Sequence, residues 1–325
     1  MPQHAADISD LSPAAFYERL ASTGLVRRLL ELARDEDLGP GRVDITAAVM
    51  LDPGARTTAR LVAREPGVLA GLALLDELLD AFGVSGEIDA TPHAADADPI
   101  ASGDSLLTLQ GSSRAIVTIE RTLLNLVGRL SGVASRTAEF ASRIPPGSRA
   151  KLCDTRKTTP GLRVLEKYAV RCGGGSTHRL GLHDAVLVKD NHVAAIPLDE
   201  LAKRLTDAAR RAWELRIDMG DADPAPPAFV EVEVDSPAQL ERVLSIEEGL
   251  IDFVLLDNFT TEQMRAAVAL RDRLRSSVQL EASGGVTLDS VADVAATGVD
   301  RISVGSLTHH AVSLDVGLDI EPAGA

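Results

Sequence analysis

Four apolar runs in the second half of the chain each end in polar or glycine residues: Phe229–Asp235, Phe253–Asp257, Val278–Ser283 and Arg301–Gly305. Their ends recur at intervals of roughly 22 to 26 residues with helical patterning between them, which is the βα spacing of a parallel sheet or barrel. Residues 149–155 and 185–189 read as two earlier strands of the series, and 198–216 as a helix between them and the rest. The Asp- and Pro-rich stretch 218–227 breaks the rhythm and reads as a surface insertion.

The first half is less regular. Residues 1–24 form an N-terminal extension, expected to fray or to dock loosely as a helix. Leu25–Ala33 has helical spacing, Asp35–Thr46 reads as a loop, Thr57–Val68 as a strand and Gly71–Phe82 as a helix. Residues 83–104 suit turns between short strands. A long helix is expected from just after Ser112–Ser113 toward Arg143, with Ile116, Leu123, Leu126, Val127 and Leu130 as its apolar stripe. Pro145–Pro146–Gly147 ends it, and a domain boundary falls along it. With 325 residues, two domains are expected: 25–132 joined by 306–325, and 133–305.

Composition narrows the partners. Thirty-three Lys and Arg against 48 Asp and Glu give a net charge of −15, unfavourable for nucleic acid or an anionic membrane. Six Phe, two Tyr and one Trp leave little for base stacking. Cys153 and Cys172 lack the spacing of a zinc site or a disulfide framework. No signal peptide or membrane-length apolar run is read, so the expectation is a reduced, cytoplasmic protein.

Ligands of parallel α/β folds sit at the carboxyl ends of strands. Read in order, those ends offer Asp154-Thr155-Arg156-Lys157, then Lys189-Asp190-Asn191-His192, then Glu231 and Glu233 on one strand face. Asp257-Asn258, Ser283-Gly284-Gly285 and Gly305-Ser306 follow, with Gly173–Arg179 between the first two strands. Residues 151–192 hold eight Lys or Arg and four acids, a balance of +4 inside an acidic molecule. Such a basic pocket suits a small polyanion. The glycine turns suit phosphate, and Glu233 with Asp257 suits Mg²⁺ bridging a pyrophosphate. Taken singly, each feature has a blander reading: a solvated basic face, an ordinary turn, a salt-bridge acid. Their fall at successive strand ends favours a site.

The run DTRKTTPGLRVLEKYAVRCGGGSTHRLGLHDAVLVKDNH (154–192) closely resembles the quinolinate phosphoribosyltransferases. EVEVDS (231–236), LLDN (255–258), EASGG (281–285) and VGSLTHH (304–310) continue the resemblance in order; EDLGPGRVDIT (36–46) and ERTLLN (120–125) carry it into the first domain. It implies a type II phosphoribosyltransferase with an N-terminal α/β open sandwich and a C-terminal open, seven-stranded α/β barrel. It further implies transfer from phosphoribosyl pyrophosphate to quinolinate, with decarboxylation and Mg²⁺. By the same resemblance Arg156, His178, Arg179 and Lys189 hold quinolinate, and Lys157 faces the phosphoribosyl substrate. Glu233 and Asp257 serve its metal and ribose hydroxyls, while Ser283, Gly284, Gly305 and His309 take the 5′-phosphate. Arg121 would reach the quinolinate site of a neighbouring subunit, which implies a homodimer or a larger homo-oligomer.

The residue types suit that reaction on their own terms. The pyridine nitrogen is its own nucleophile, so no Ser, Cys or His nucleophile is required, and positioning and charge carry catalysis. Two carboxylates call for several Arg and Lys. A relative acting on another substrate, or a non-catalytic sensor of a phosphorylated metabolite, are the rivals. The full cation set disfavours the first and the paired acids Glu233 and Asp257 the second.

Overall fold

A computed structural model describes residues 11–217, 225–274 and 276–321. The described residues divide into two compact units, one of residues 11–138, 158–174 and 306–321, the other of residues 139–157 and 175–305. The division falls within the long helix Ser113–Arg143.

The first unit is an α/β sandwich built on a four-stranded antiparallel sheet, in the order Val316–Ile320, Arg56–Ala63, Ser105–Ser112, Ile88–Pro92. Alternation along Arg56–Ala63 buries Ala59, Leu61 and Ala63 on one face. The strand read as Thr57–Val68 stops at Ala63, and Gly67–Val68 pairs separately with Pro99–Ile100. The long helix buries all five stripe residues, Ile116, Leu123, Leu126, Val127 and Leu130. Its glycines admit a close neighbour: a Cβ at Gly132 would lie 2.0 Å from the Val312 carbonyl oxygen, and one at Gly128 would lie 2.8 Å from that of Leu314. The Leu314 N–H donates to the Gly128 carbonyl at 2.9 Å.

Two readings of the amino-terminal part are resolved, the first in favour of the docked helix and the second against a continuous loop. The extension is docked where it is described: Ser12 caps the helix Pro13–Ala21, whose Phe16, Tyr17 and Leu20 are buried. Tyr17 meets the Tyr168 ring edge-on at 5.3 Å and donates to Glu77 at 3.1 Å, while Arg171 covers Phe16. The expected loop 35–46 is half helical, with residues 39–44 as the turn between two helices. The helix Leu25–Leu38 runs through the acidic run to Gly39, whose φ of +62° stops it, and Asp44 caps a further helix, Ile45–Met50. Asp37 and Asp44 accept from Thr122 and Thr118 of the long helix.

The second unit is the open barrel. Six parallel strands run in the order Lys151–Cys153, Arg301–Ser303, Gln279–Ser283, Phe253–Asp257, Val230–Val234, Val186–Val188. A seventh element is a single rung: Ser176 bridges in parallel to Cys153, its N–H donating to the Leu152 carbonyl at 2.7 Å. Segment 158–174, expected within 133–305, groups with the sandwich, because its helix Arg163–Cys172 buries Leu165, Tyr168 and Ala169 there. Most of the 218–227 insertion lies outside the described residues. No helix among those described is long and apolar enough to cross a membrane.

Candidate active site

The strand ends of the barrel gather most of the expected residues. After Lys151–Cys153 the chain turns through Asp154, whose Oδ1 accepts the His178 N–H at 2.9 Å. This bond ties the Arg156–Lys157 turn to the His178–Arg179 segment entered through the Ser176 rung. Gly174, with φ +82°, makes the turn into that rung. Arg156 is half-buried and Lys157 exposed. Arg179 is buried and its guanidinium donates to the Ala185 carbonyl at 3.2 Å. Burial and the neighbouring positive charge of Arg156 both lower the Arg179 pKa. Two guanidiniums side by side, one of them desolvated, form a cradle for a polyanion.

His178 is fixed at both ring nitrogens. Nδ1 accepts the Arg179 backbone N–H at 2.7 Å. Nε2 lies 2.9 Å from Glu231 and 3.3 Å from Glu281, both fully buried. Ser303 Oγ donates to Glu281, and Arg301 lies 4.0 Å from it while stacking 3.6 Å over the Phe253 ring. Burial opposes charge on His178, but Glu281 and Glu231 outweigh it and push its pKa up. With Nδ1 accepting the Arg179 N–H, the ring's proton is at Nε2, between the two acids. Burial and Glu281 beside it push the Glu231 carboxyl up. Burial also works against Glu281 as a carboxylate, but His178, Arg301 and Ser303 hold its pKa below the ordinary range.

At the next strand ends Lys189 Nζ contacts Glu233 Oε2 at 2.5 Å. Asp257 ends the adjacent strand, its pKa raised by burial and by Glu233. Asn258 donates through its side chain to Asp257 at 2.8 Å and through its backbone to the Ser283 carbonyl at 2.9 Å. Gly284 is required here: its φ is +93°, and a Cβ would lie 2.2 Å from Asn258 Oδ1. The Ser283-Gly284 turn can thus approach a ligand with bare backbone N–H groups.

Gly305 closes this unit, whereas Arg121 and His309 belong to the sandwich unit. His309 is exposed, its ring 4.2 Å from that of His310. Arg121 is exposed too, 3.9 Å from Glu120.

A model of the quinolinate phosphoribosyl transferase N-terminal domain matches residues 44–131, and one of the C-terminal domain matches residues 133–319. The chain belongs to the quinolinate phosphoribosyltransferase family. A nicotinate-nucleotide pyrophosphorylase (carboxylating) from Mycobacterium leprae is 44% identical over 92% of this chain and 97% of its own. Quinolinate phosphoribosyltransferase (decarboxylating) 1b from Nicotiana tabacum is 32% identical over 91% of this chain and 82% of its own. The solved nicotinate-nucleotide pyrophosphorylase from Francisella tularensis superposes with a TM-score of 0.79 at 34% identity, covering 98% of this chain and all of that one. The family fold of sandwich and open barrel is the one described above.

Glu281, Arg301 and Asp154 carry no role in the expectations above, and Glu231 enters them only through strand alternation. A signal was available. Glu231 stands between Val230 and Val232, and Glu281 between Leu280 and Ala282, so each is an acid within an apolar strand and requires a buried partner.

Proposed function

We propose that this chain joins quinolinate to phosphoribosyl pyrophosphate, giving nicotinate mononucleotide, pyrophosphate and carbon dioxide for NAD synthesis. The observation that carries the reading is the buried Arg179 held beside Arg156, with Lys157 and Lys189 following strands of the same barrel. Quinolinate bears two adjacent carboxylates, and paired guanidinium forks are the groups that recognise them. Arg156, Arg179 and Lys189 orient the pyridine ring, with His178 behind Arg179, so that its nitrogen lone pair faces the ribose C1. As pyrophosphate leaves, positive charge develops on the ribose, and catalysis is positioning plus charge placement. The cationic ribosylated ring then stabilises the electron pair left on C2 when the 2-carboxylate departs as carbon dioxide, and a proton taken up at C2 completes nicotinate mononucleotide.

Lys157 would face the phosphates, and Ser283, Gly284, Gly305 and His309 would receive the 5′-phosphate. Glu233 and Asp257 offer hard carboxylate oxygens on adjacent strands, a donor set that fits Mg²⁺. The ion would supply charge neutralisation for the pyrophosphate. We further place the enzyme in the cytoplasm as a homodimer. The exposed Ile45, Val49 and Met50 of the sandwich unit, each more than 70% accessible, are what a partner surface would cover.

The test mixes protein, Mg²⁺ and phosphoribosyl pyrophosphate with quinolinate or nicotinate, following carbon dioxide and mononucleotide. Quinolinate is expected to turn over and nicotinate not, since a missing carboxylate leaves desolvated cations unpaired. Comparable nicotinate turnover would reject the reading.

A further inference from the structure

The reaction as described uses the cations at the strand ends but none of the buried acids beneath them. Glu231 lies on the strand Val230–Val234 and Glu281 on Gln279–Ser283, with Phe253–Asp257 between the two. Both side chains are fully buried in the barrel and both reach the same atom, His178 Nε2. Beyond His178, no hydrogen-bond donor among the described residues reaches either Glu231 oxygen. Two acids converging from separate strands on one imidazole are a costly way to fill volume, since apolar side chains would do so without desolvation. Their common effect is geometric. With Nε2 directed between them, the ring can turn only one nitrogen, Nδ1, to the chain, and that nitrogen accepts the Arg179 N–H at 2.7 Å.

We propose that Glu231 and Glu281 are positioning residues for the dicarboxylate substrate: they lock the His178 ring, and through its Nδ1 they set where the Arg179 guanidinium stands. Arg179 is then held at two points, its backbone by His178 and its guanidinium by the Ala185 carbonyl. The His178 backbone is fixed separately by Asp154. Arg301 and Ser303 secure Glu281 in turn. His178, Glu231, Glu281 present a nitrogen and carboxylate oxygens within 4.8 Å of one another, as a metal site also would. The 2.9 and 3.3 Å separations place Nε2 in direct polar contact with both acids.

The inference rests on the proposed quinolinate site and is tested on the full chain. Glu231→Leu and Glu281→Leu keep the volume and remove the acceptor; Glu231→Gln and Glu281→Gln keep an acceptor. The Leu variants are expected to raise KM for quinolinate about tenfold or more, with KM for phosphoribosyl pyrophosphate within about twofold, because a small misplacement of a binding group is amplified in that step. The Gln variants should recover most of the loss. Val243→Ala, a core change in the same unit, serves as a stability control. Unchanged quinolinate KM in the Leu variants, or a parallel change of both KM values as in the control, would overturn the proposal. A measurement on the wild type guards against misfolded variants. Nitrogen-15 NMR of histidine-labelled protein, assigned by the signal lost in His178→Gln, should show His178 Nδ1 unprotonated, and a protonated Nδ1 overturns the arrangement. Absence of quinolinate turnover by the wild type rejects the proposed function instead; normal turnover with unmoved variants rejects only the positioning role.

Discussion

Lys189 Nζ and Glu233 Oε2 stand 2.5 Å apart, joining the ends of the adjacent parallel strands Val186–Val188 and Val230–Val234. The cation assigned to quinolinate and the acid assigned to the metal are therefore one ion pair. Asp257 is on the other side of Glu233 and accepts from Asn258, and burial and the like charge of Glu233 raise its pKa. The two acids consequently differ in what their loss should do. Asp257→Ala is expected to weaken Mg²⁺-dependent binding of phosphoribosyl pyrophosphate by about tenfold or more while sparing quinolinate. Glu233→Ala should weaken both, because it also releases Lys189. Titration calorimetry with each substrate separates the cases. Loss of quinolinate binding in Asp257→Ala, with Mg²⁺ dependence intact, would show the metal assignment to be wrong.

Gly132 allows the segment at Val312 to lie against the long helix, with a carbonyl oxygen 2.0 Å from where a Cβ would be. The clash is with backbone, which cannot rotate away. Gly132→Ala should cost about 2 kcal/mol or more and lower the melting temperature by roughly 5 °C. Gly147→Ala, whose Cβ would meet nothing, strains only its own φ of +83° and should cost less. Equal melting temperatures for the two variants would mean that the helix and the Val312 segment can move apart.

The features legible in the sequence are those written in local pattern. Phe253–Asp257 is a strand over the residues its apolar run spans, and Ser113–Arg143 begins and ends where its flanking residues say. The stripe of that helix is buried as its spacing requires. Chemistry at strand ends was also legible, because parallel folds put polar residues there in a fixed rhythm. What local pattern hides is long-range pairing. The Ser176 rung is one residue long and has no periodicity to detect. The Glu231–His178–Glu281 cluster joins residues about 50 positions apart on two strands and a loop, and alternation reports only that an acid faces inward. Residues 35–38 misled for a different reason. A run of acids resembles a loop, yet the helix continues until Gly39 stops it with a φ of +62°.

Cys153 and Cys172 are both buried and unpaired with each other. Burial, then the charge of Glu281, raises the Cys153 thiol, and burial with Asp96 pushes Cys172 up to about 12. Thiolate is the reactive form, so both should resist a thiol reagent at pH 8 and react stoichiometrically once the chain is denatured. Fast labelling of the native protein, resolved by peptide mapping, would place that cysteine outside the core.

Arg121 lies on the long helix within ERTLLN, with its side chain 67% exposed and its ion-pair partner, Glu120, 3.9 Å distant. It lines a shallow cavity together with Val43, Ile45, Val117 and Thr118, next to the exposed apolar side chains of the Ile45–Met50 helix. An arginine at the edge of an apolar surface patch suits an interface whose partner needs a guanidinium, and a dicarboxylate site in a second copy is such a partner. Our dimer proposal therefore makes a sharp expectation about complementation. Arg121→Ala and Arg156→Ala should each abolish most activity. Mixing the two after denaturation and refolding yields heterodimers in which one site keeps both arginines and the other lacks both. Half of the dimers formed from equal amounts are mixed, and each has one intact site of two, so about a quarter of wild-type activity should return. Arg121 would be excluded from acting in trans by an inactive mixture whose subunit exchange is verified by native mass spectrometry, or by an active wild type that sediments as a monomer.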